Sequence, residues 1–230
     1  MSCNFVFLFV TYFTKVLLTA FWRNKMRFIE FRAAFKPFTI FSIDEIRKVA
    51  PGFHRRRLND WQEKGYIKKV VKGYYIFADL DLNESVLFEI ANRIHRPSYV
   101  SLEIALSYYH LIPESVYVIT SISSRKPYQY DTPIAKFNYK KMKPELFFGY
   151  DLVDYDDKNF KIASIEKAIL DYFYFHSNLN SISDFSDLRL NQDNFWSQIN
   201  LEKLQDFLDR FNHRRLSLTI KSFMEFMKHV

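Results

Sequence analysis

The sequence predicts an α+β chain built in two parts, and three observations predict it. Hydrophobic residues make up 48% and aromatic residues 19% of the 230 residues, enough for a substantial core. Positive charge is concentrated towards the front. Residues 26–80 hold twelve cations and six acids, a net +6, whereas residues 81–230 hold eighteen cations and twenty acids, a net −2. Helix-start and helix-stop signals also alternate with short strand patterns, without an internal repeat. A basic front joined to a near-neutral rear points to one module that meets phosphates and another that does something else.

With only 4 glycines in the sequence, Gly-rich phosphate loops are not expected. Cys3 is the single cysteine, which excludes an internal disulfide and a multi-cysteine metal site. A reducing, cytoplasmic compartment is expected. Residues 1–25 carry Lys15, Arg23 and Lys25, no acid, and an apolar run from Phe5 to Trp22. As a transmembrane helix this run is short and places Lys15 near its centre, at about 2.5–3.5 kcal/mol on insertion scales. As a secretory signal it lacks a basic residue before the apolar core and a clean small-x-small cleavage site. Met26-Arg27-Phe28-Ile29-Glu30 reads as the start of a domain, so 1–25 is expected to be an upstream extension, with a membrane anchor as the alternative.

The front elements follow in order. Residues 28–36 form a first helix stopped before Pro37. Ser42 and Glu45 make a capping box, in which hydroxyl and carboxylate satisfy each other's helix-start amides. That helix runs to about Ala50 and stops at Pro51-Gly52. A second short helix runs from Phe53 to about Lys64, with Gly65 as its C-cap. Its buried stripe is Leu58 and Trp61, with His54 nearby. Arg56, Asn59, Asp60 and Glu63 face outwards, flanked by Arg55 and Arg57. A strand Tyr66–Val71, a Lys72-Gly73 turn and a return strand Tyr74–Phe77 complete a hairpin.

Two short helices, a tight turn and a following hairpin are the order of a winged helix-turn-helix, assigned to residues 26–80. The N-terminal half of the second helix is the part that reaches base edges, where Arg pairs with guanine and Asn with adenine. Arg55, Arg56, Arg57 and Asn59 are therefore candidate base readers. Lys68, Lys69 and Lys72 load the hairpin for phosphates. Tyr74 is the candidate backbone contact, with Tyr75 the alternative; whichever does not touch DNA enters the core. The same charges also fit an ordinary solvated helix face.

Residues 81–230 are a mixed α/β domain that ends in helices. Helices are expected from Glu84 to Ile94, from a Ser101 cap to about His110, and from a Ser164 cap through Ile165 to Phe175. Strands are expected over Val116–Ser123 and Pro133–Tyr139, and Gly149 in a turn. Residues 177–195, rich in Ser, Asn and Asp, read as a loop. Two amphipathic helices fill Leu201–Val230, with Leu204, Phe207, Leu208 and Phe211, then Ile220, Phe223, Met224 and Met227, facing inwards. No two of the six histidines have metal-ligand spacing, and no nucleophile elbow, P-loop or dinucleotide fingerprint occurs. No cofactor, no metal and no catalytic residue are therefore expected, and the chain is not expected to be an enzyme. Asp151, Asp154, Asp156 and Asp157, with Glu166 and Lys167, imitate a metal-dependent nuclease site; the competing assignment is a solvated acidic turn followed by a helix start. Tyr99, Tyr108, Tyr109 and Tyr117 are assigned to the core.

Several blocks resemble one family. Trp61 to Ile67 and Gly73 to Phe77 are similar to the N-terminal winged helix of AbiEi-type antitoxins. The resemblance continues through Arg96 to Glu103, Ala105 to Tyr109, Leu111 to Glu114, Thr120-Ser121, Phe148 to Tyr150 and Ile162 to Asp171, and covers roughly residues 40–175. His110 stands where the family usually has Gly, so that helix end is expected to be less well closed. The resemblance implies an antitoxin and transcriptional autorepressor of a type IV phage-defence operon. Its winged helix binds repeats in double-stranded promoter DNA. Its rear domain counters a nucleotidyltransferase toxin without needing a stable complex. Half-site geometry, separately, makes self-association on DNA an expectation, because a single module lacks the second half-site. Two alternatives stay open: a ligand-sensing winged-helix transcription factor without a toxin, and a nuclease guided by a winged helix.

Overall fold

Contacts divide the chain into two units, with the boundary between Asp81 and Leu82. The computed structural model describes residues 26–113 and 117–229, so the competing assignments for the leader lie outside the described residues. Helices and strands are mixed in both units. Among the described residues no helix is long and apolar enough to cross a membrane.

The front unit opens with α1 (Phe28–Phe35), which ends before Pro37. Strand β1 (Phe41–Ser42) leads directly into α2 (Ile43–Val49). The Ser42 hydroxyl accepts from the Glu45 amide at 3.2 Å, and the Glu45 carboxylate accepts from the Ser42 amide at 2.8 Å. This reciprocal cap fixes where α2 begins. Helix α3 (Arg56–Glu63) follows, and Gly65 ends its last turn at φ +70°, a conformation that costs little only without a Cβ. Strands β2 (Ile67–Val71) and β3 (Tyr74–Phe77) form an antiparallel hairpin, and β1 pairs with β3 to give the order β1-β3-β2. The core is aromatic. The Phe31 ring lies 4.6 Å from Trp61, 5.1 Å from Phe41 and 5.7 Å from Phe77. Large rings bury much area per residue, which is how so small a unit closes a core.

The rear unit is a six-stranded mixed sheet. Its strands are β4 (Ser98–Val100), β5 (Val118–Ser123), β6 (Tyr128–Asp131), β7 (Lys136–Lys141), β8 (Tyr150–Tyr155) and β9 (Lys158–Ala163), ordered β6-β7-β5-β4-β9-β8. Helix α4 (Glu84–Ile94) covers one face, and the Tyr139 hydroxyl of β7 donates to its Ala91 carbonyl at 2.7 Å. Helix α5 (Glu103–Tyr108) packs on α6 (Ile165–Phe175), which Tyr99 and Ser101 reach from the opposite face. Helices α9 (Leu201–Phe211) and α10 (Arg214–His229) close over α6.

Several expectations are corrected. Residues 177–195 are not a plain loop: α7 (Ile182–Asp187) and α8 (Gln192–Gln198) occupy much of the segment. The Ser and Asn that suggested a loop are helix caps, since Ser181 accepts from the Asp184 amide and Asn191 from the Asn194 amide. Ser101 does not cap α5; its hydroxyl donates to Asp171 at 2.8 Å. Tyr117 is not core but 88% exposed. The end of α5 is well closed. The His110 amide donates to Ser107 at 2.8 Å and the Leu111 amide to Leu106 at 2.9 Å, both bonds of a Schellman closure.

That closure holds exposed His110 at φ 56°, where a Cβ costs about 1–2 kcal/mol. Part of the gain from glycine is offset by its freer unfolded chain. His110→Gly is therefore expected to stabilise the protein by about 1 kcal/mol, raising the urea midpoint at unchanged slope. A midpoint that stays or falls would contradict this assignment.

Candidate nucleic-acid interface

Helix α3 turns Leu58 and Trp61 into the core and leaves Arg55, Arg56, Asn59, Asp60 and Glu63 exposed. Its charge runs against its dipole. Arginines crowd the N-terminal end, no acid occupies the first turn, and no cation occupies the last. A helix N-terminus carries partial positive charge, so this arrangement is locally unfavourable unless an anion arrives from outside. Two members of the expected group behave differently. Arg57 is half-buried and donates to the Met26 carbonyl, tying α3 to the segment before α1. His54 is exposed rather than part of the buried stripe, because the regular helix starts only at Arg56.

The hairpin presents Lys68, Lys69 and Lys72 to solvent. Lys68 and Lys69 pair in regular register with Ile76 and Tyr75, and the irregularity follows them. Lys69 lies opposite Tyr75 but Val71 lies opposite Tyr74, so β2 carries one extra residue, and Val70 is 5% exposed. Such a bulge increases local twist. Gly73 makes the turn at φ +89°. Tyr75 is core at 2% exposure, whereas Tyr74 is half-buried beside the lysines. Among the described residues no ion pair engages Arg55, Arg56, Lys68, Lys69 or Lys72. Elsewhere in the front unit Arg27 pairs with Glu30 and Arg32 with Asp79.

The rear unit holds a polar centre built from residues whose charge alone would place them in solvent. Glu166 and Lys167 are buried, at 2% and 0% exposure. Lys167 pairs with Asp171 one helical turn on and donates to the Tyr99 hydroxyl at 2.9 Å. The Tyr99 hydroxyl donates to Asp171 at 3.0 Å, beside the Ser101 hydroxyl. The Lys167 ammonium also lies 4.8 Å from the Phe211 ring centroid. Gly149 is required above it: a Cβ there would sit 2.8 Å from Phe207 and 3.2 Å from Lys167, on a backbone at φ +72°. The i,i+4 spacing of Lys167 and Asp171 on an otherwise apolar helix was the available signal.

Burial works against the Glu166 charge. Even so, hydrogen bonds from Lys203, the Asn200 amide and the Ser164 hydroxyl hold its carboxyl below the ordinary value of 4.5. Burial likewise pushes the Asp171 carboxyl up and the Lys167 ammonium down, and their mutual attraction opposes both shifts. The nuclease-like set does not assemble around these groups. Asp151, Asp154, Asp156 and Asp157 lie exposed on the β8–β9 hairpin, while Glu166 and Lys167 are engaged inside. Among the described residues no three His, Cys, Asp or Glu side chains come together as metal ligands. Between α9 and α10 lies a groove of about 470 Å³, lined by Leu204, Leu208, Ile220 and Met224 with Asp209 and Lys221 among its polar groups. In comparisons with known proteins, no family model matches the chain and no curated protein matches it.

Two outcomes follow from the buried centre. Lys167→Met leaves the Asp171 carboxyl buried without its cation, and is expected to cost about 3–5 kcal/mol in urea denaturation. Adding Asp171→Asn removes that carboxyl and should recover part of the loss; a double variant less stable than the single would contradict the pairing. Glu166 has a lowered folded pKa, so its contribution is complete above about pH 4.5, its ordinary value, and is lost as pH falls through the folded value. Stability measured against pH should accordingly show a shallower acid limb in Glu166→Gln than in the parent.

Proposed function

We propose that the front unit is a winged helix-turn-helix that binds duplex promoter DNA, within a chain that acts as antitoxin and autorepressor. The carrying observation is the reversed charge of α3: exposed Arg55 and Arg56 at its positive end, beside Asn59 and ahead of a lysine-bearing hairpin. A phosphodiester backbone supplies the anion that this helix end lacks. In this assignment Arg55, Arg56 and Asn59 read bases in the major groove. Lys68, Lys69 and Lys72 hold phosphates, with Tyr74 against the backbone. Arg57 positions α3 through Met26 rather than reading a base. A second copy bound to the same operator supplies the second half-site.

The antitoxin role rests on the resemblance to AbiEi-type proteins. It is supported by where its separate blocks meet: Tyr99, Ser101, Lys167 and Asp171 share one set of buried hydrogen bonds, and Gly149 packs directly against Lys167. The proposed target of the rear unit is a nucleotidyltransferase toxin. A second reading, a ligand-sensing regulator, is favoured by the groove between α9 and α10, whose volume suits a small molecule. Co-expression with the neighbouring gene product separates the two, because growth rescue belongs only to the antitoxin.

The Lys68→Ala/Lys69→Ala/Lys72→Ala variant is expected to bind all duplexes more weakly and to flatten the salt dependence by about 0.9 for each phosphate it no longer neutralises. Arg56→Ala should cost about 1–3 kcal/mol and relax preference at one base position. Mobility-shift titration checks both, and parental affinity in the triple variant would refute the docking. Arg56→Ala and Lys69→Ala should also abolish repression in a promoter reporter while sparing growth rescue. Loss of rescue at normal protein levels would mean that DNA binding is itself the route to neutralisation.

A further inference from the structure

The rear unit is slightly acidic, yet five of its cations gather at one end of the sheet. Ser98 at the start of β4 lies beside Ser123 at the end of β5, and Ser123 beside Lys141 at the end of β7. Tyr128 at the start of β6 lies beside Tyr139 of β7. Arg96, Arg125, Lys126, Lys141 and Lys143 therefore cluster where these four strand ends meet, and all five are exposed. Among the described residues no ion pair engages any of them. Acids are placed elsewhere. Asp131 sits at the far end of β6 opposite Lys136, and the aspartates of β8 occupy the opposite edge of the sheet. Glu145, two residues after Lys143, is the nearest acid in sequence.

An aromatic platform stands among these cations. Tyr128 is 55% exposed, although a tyrosine on a sheet face ordinarily packs. Its ring lies nearly parallel to His95, at 17° and 6.5 Å between centroids, and 4.5 Å from Tyr130, and is still more than half exposed. His95 rests in turn on Tyr139 at 4.4 Å. Burial, with help from Arg125, holds His95 below its ordinary range, so at neutral pH it backs Tyr128 as an uncharged ring.

We propose that this end of the sheet binds single-stranded nucleic acid, with a base stacked on Tyr128 and phosphates along Arg96, Arg125, Lys126, Lys141 and Lys143. Cations alone would serve any anionic surface. The braced, exposed ring in their midst selects a ligand that offers both phosphates and open base faces. A duplex keeps its bases stacked inside, and an anionic lipid surface has none. This surface lies wholly within the rear unit and is independent of the proposed duplex interface at the front.

The test uses the full chain carrying Lys68→Ala, Lys69→Ala and Lys72→Ala, which silences the proposed front interface. Fluorescence anisotropy follows a labelled oligothymidine of about 12 nucleotides, within the site sizes of such grooves. The strand should bind this variant as tightly as it binds the parent. Adding Tyr128→Ala should weaken binding roughly ten-fold, whereas Tyr128→Phe keeps it, separating stacking from misfolding. Lys126→Ala or Lys141→Ala should flatten the salt dependence by about 0.7 per phosphate released. The proposal is overturned if Tyr128→Ala binds like its parent, or if a duplex of equal length or phosphatidylserine vesicles bind as tightly as the single strand. Absence of single-strand binding in a parent that still shifts duplex DNA would overturn this proposal and leave the front-unit one standing.

Discussion

Packing of Phe31 against Trp61 is the contact on which the front unit depends. Trp61 projects from α3, Phe31 from α1, and Phe41 and Phe77 from the sheet close around them. Loss of either ring would leave a cavity worth about 3–5 kcal/mol in a unit with little stability to spare. The same contact fixes the outer surface. With Leu58 and Trp61 held inside, Arg55, Arg56 and Asn59 can only face solvent, and the β2–β3 hairpin is held in fixed relation to them. The proposed two-element interface needs this rigidity, because looseness between helix and hairpin would dissipate any combined affinity.

The rear unit solves a different problem. Its centre is polar, and a buried charge is tolerable only with a full set of partners. Lys167 has Asp171 and the Tyr99 hydroxyl, Asp171 has Tyr99 and Ser101, and Glu166 has Ser164, Asn200 and Lys203. One set of partners ties α6 to β4 through Tyr99, and the other ties the start of α6 to the start of α9 through Glu166. Gly149 belongs to the same design, since its missing side chain lets Phe207 and Lys167 approach. The charges left on the surface are segregated, acids along β8 and cations at the ends of β5 and β7 and the start of β6.

Elements governed by local rules were legible in the sequence. The Ser42–Glu45 box, the Gly65 helix end and the Lys72-Gly73 turn each rest on a few adjacent residues, and each stands where those residues predict. Elements governed by distant partners were not. β1 is two residues long and exists through pairing with Tyr74 and Tyr75. β6 is polar and exposed at an edge, so it has no hydrophobic alternation to reveal it. Ser181 and Asn191 read as loop composition because the same side chains cap helices. At the candidate interface, residue type and order marked the exposed cations. That Arg57 turns inwards depends on a carbonyl thirty-one residues away, which no local pattern discloses. Charge alone would put Glu166 and Lys167 in solvent, and their burial depends on Tyr99, Ser101 and Lys203, far off in the chain.

The proposed function requires α3 and the β2–β3 hairpin to meet a duplex together. Amide hydrogen exchange of the full chain, with and without duplex carrying its promoter sequence, tests it most directly. Added protection should concentrate on the start of α3, around Arg55 to Asn59, and on the hairpin from Lys68 to Gly73. Protection that spared both segments while the duplex was bound would contradict it.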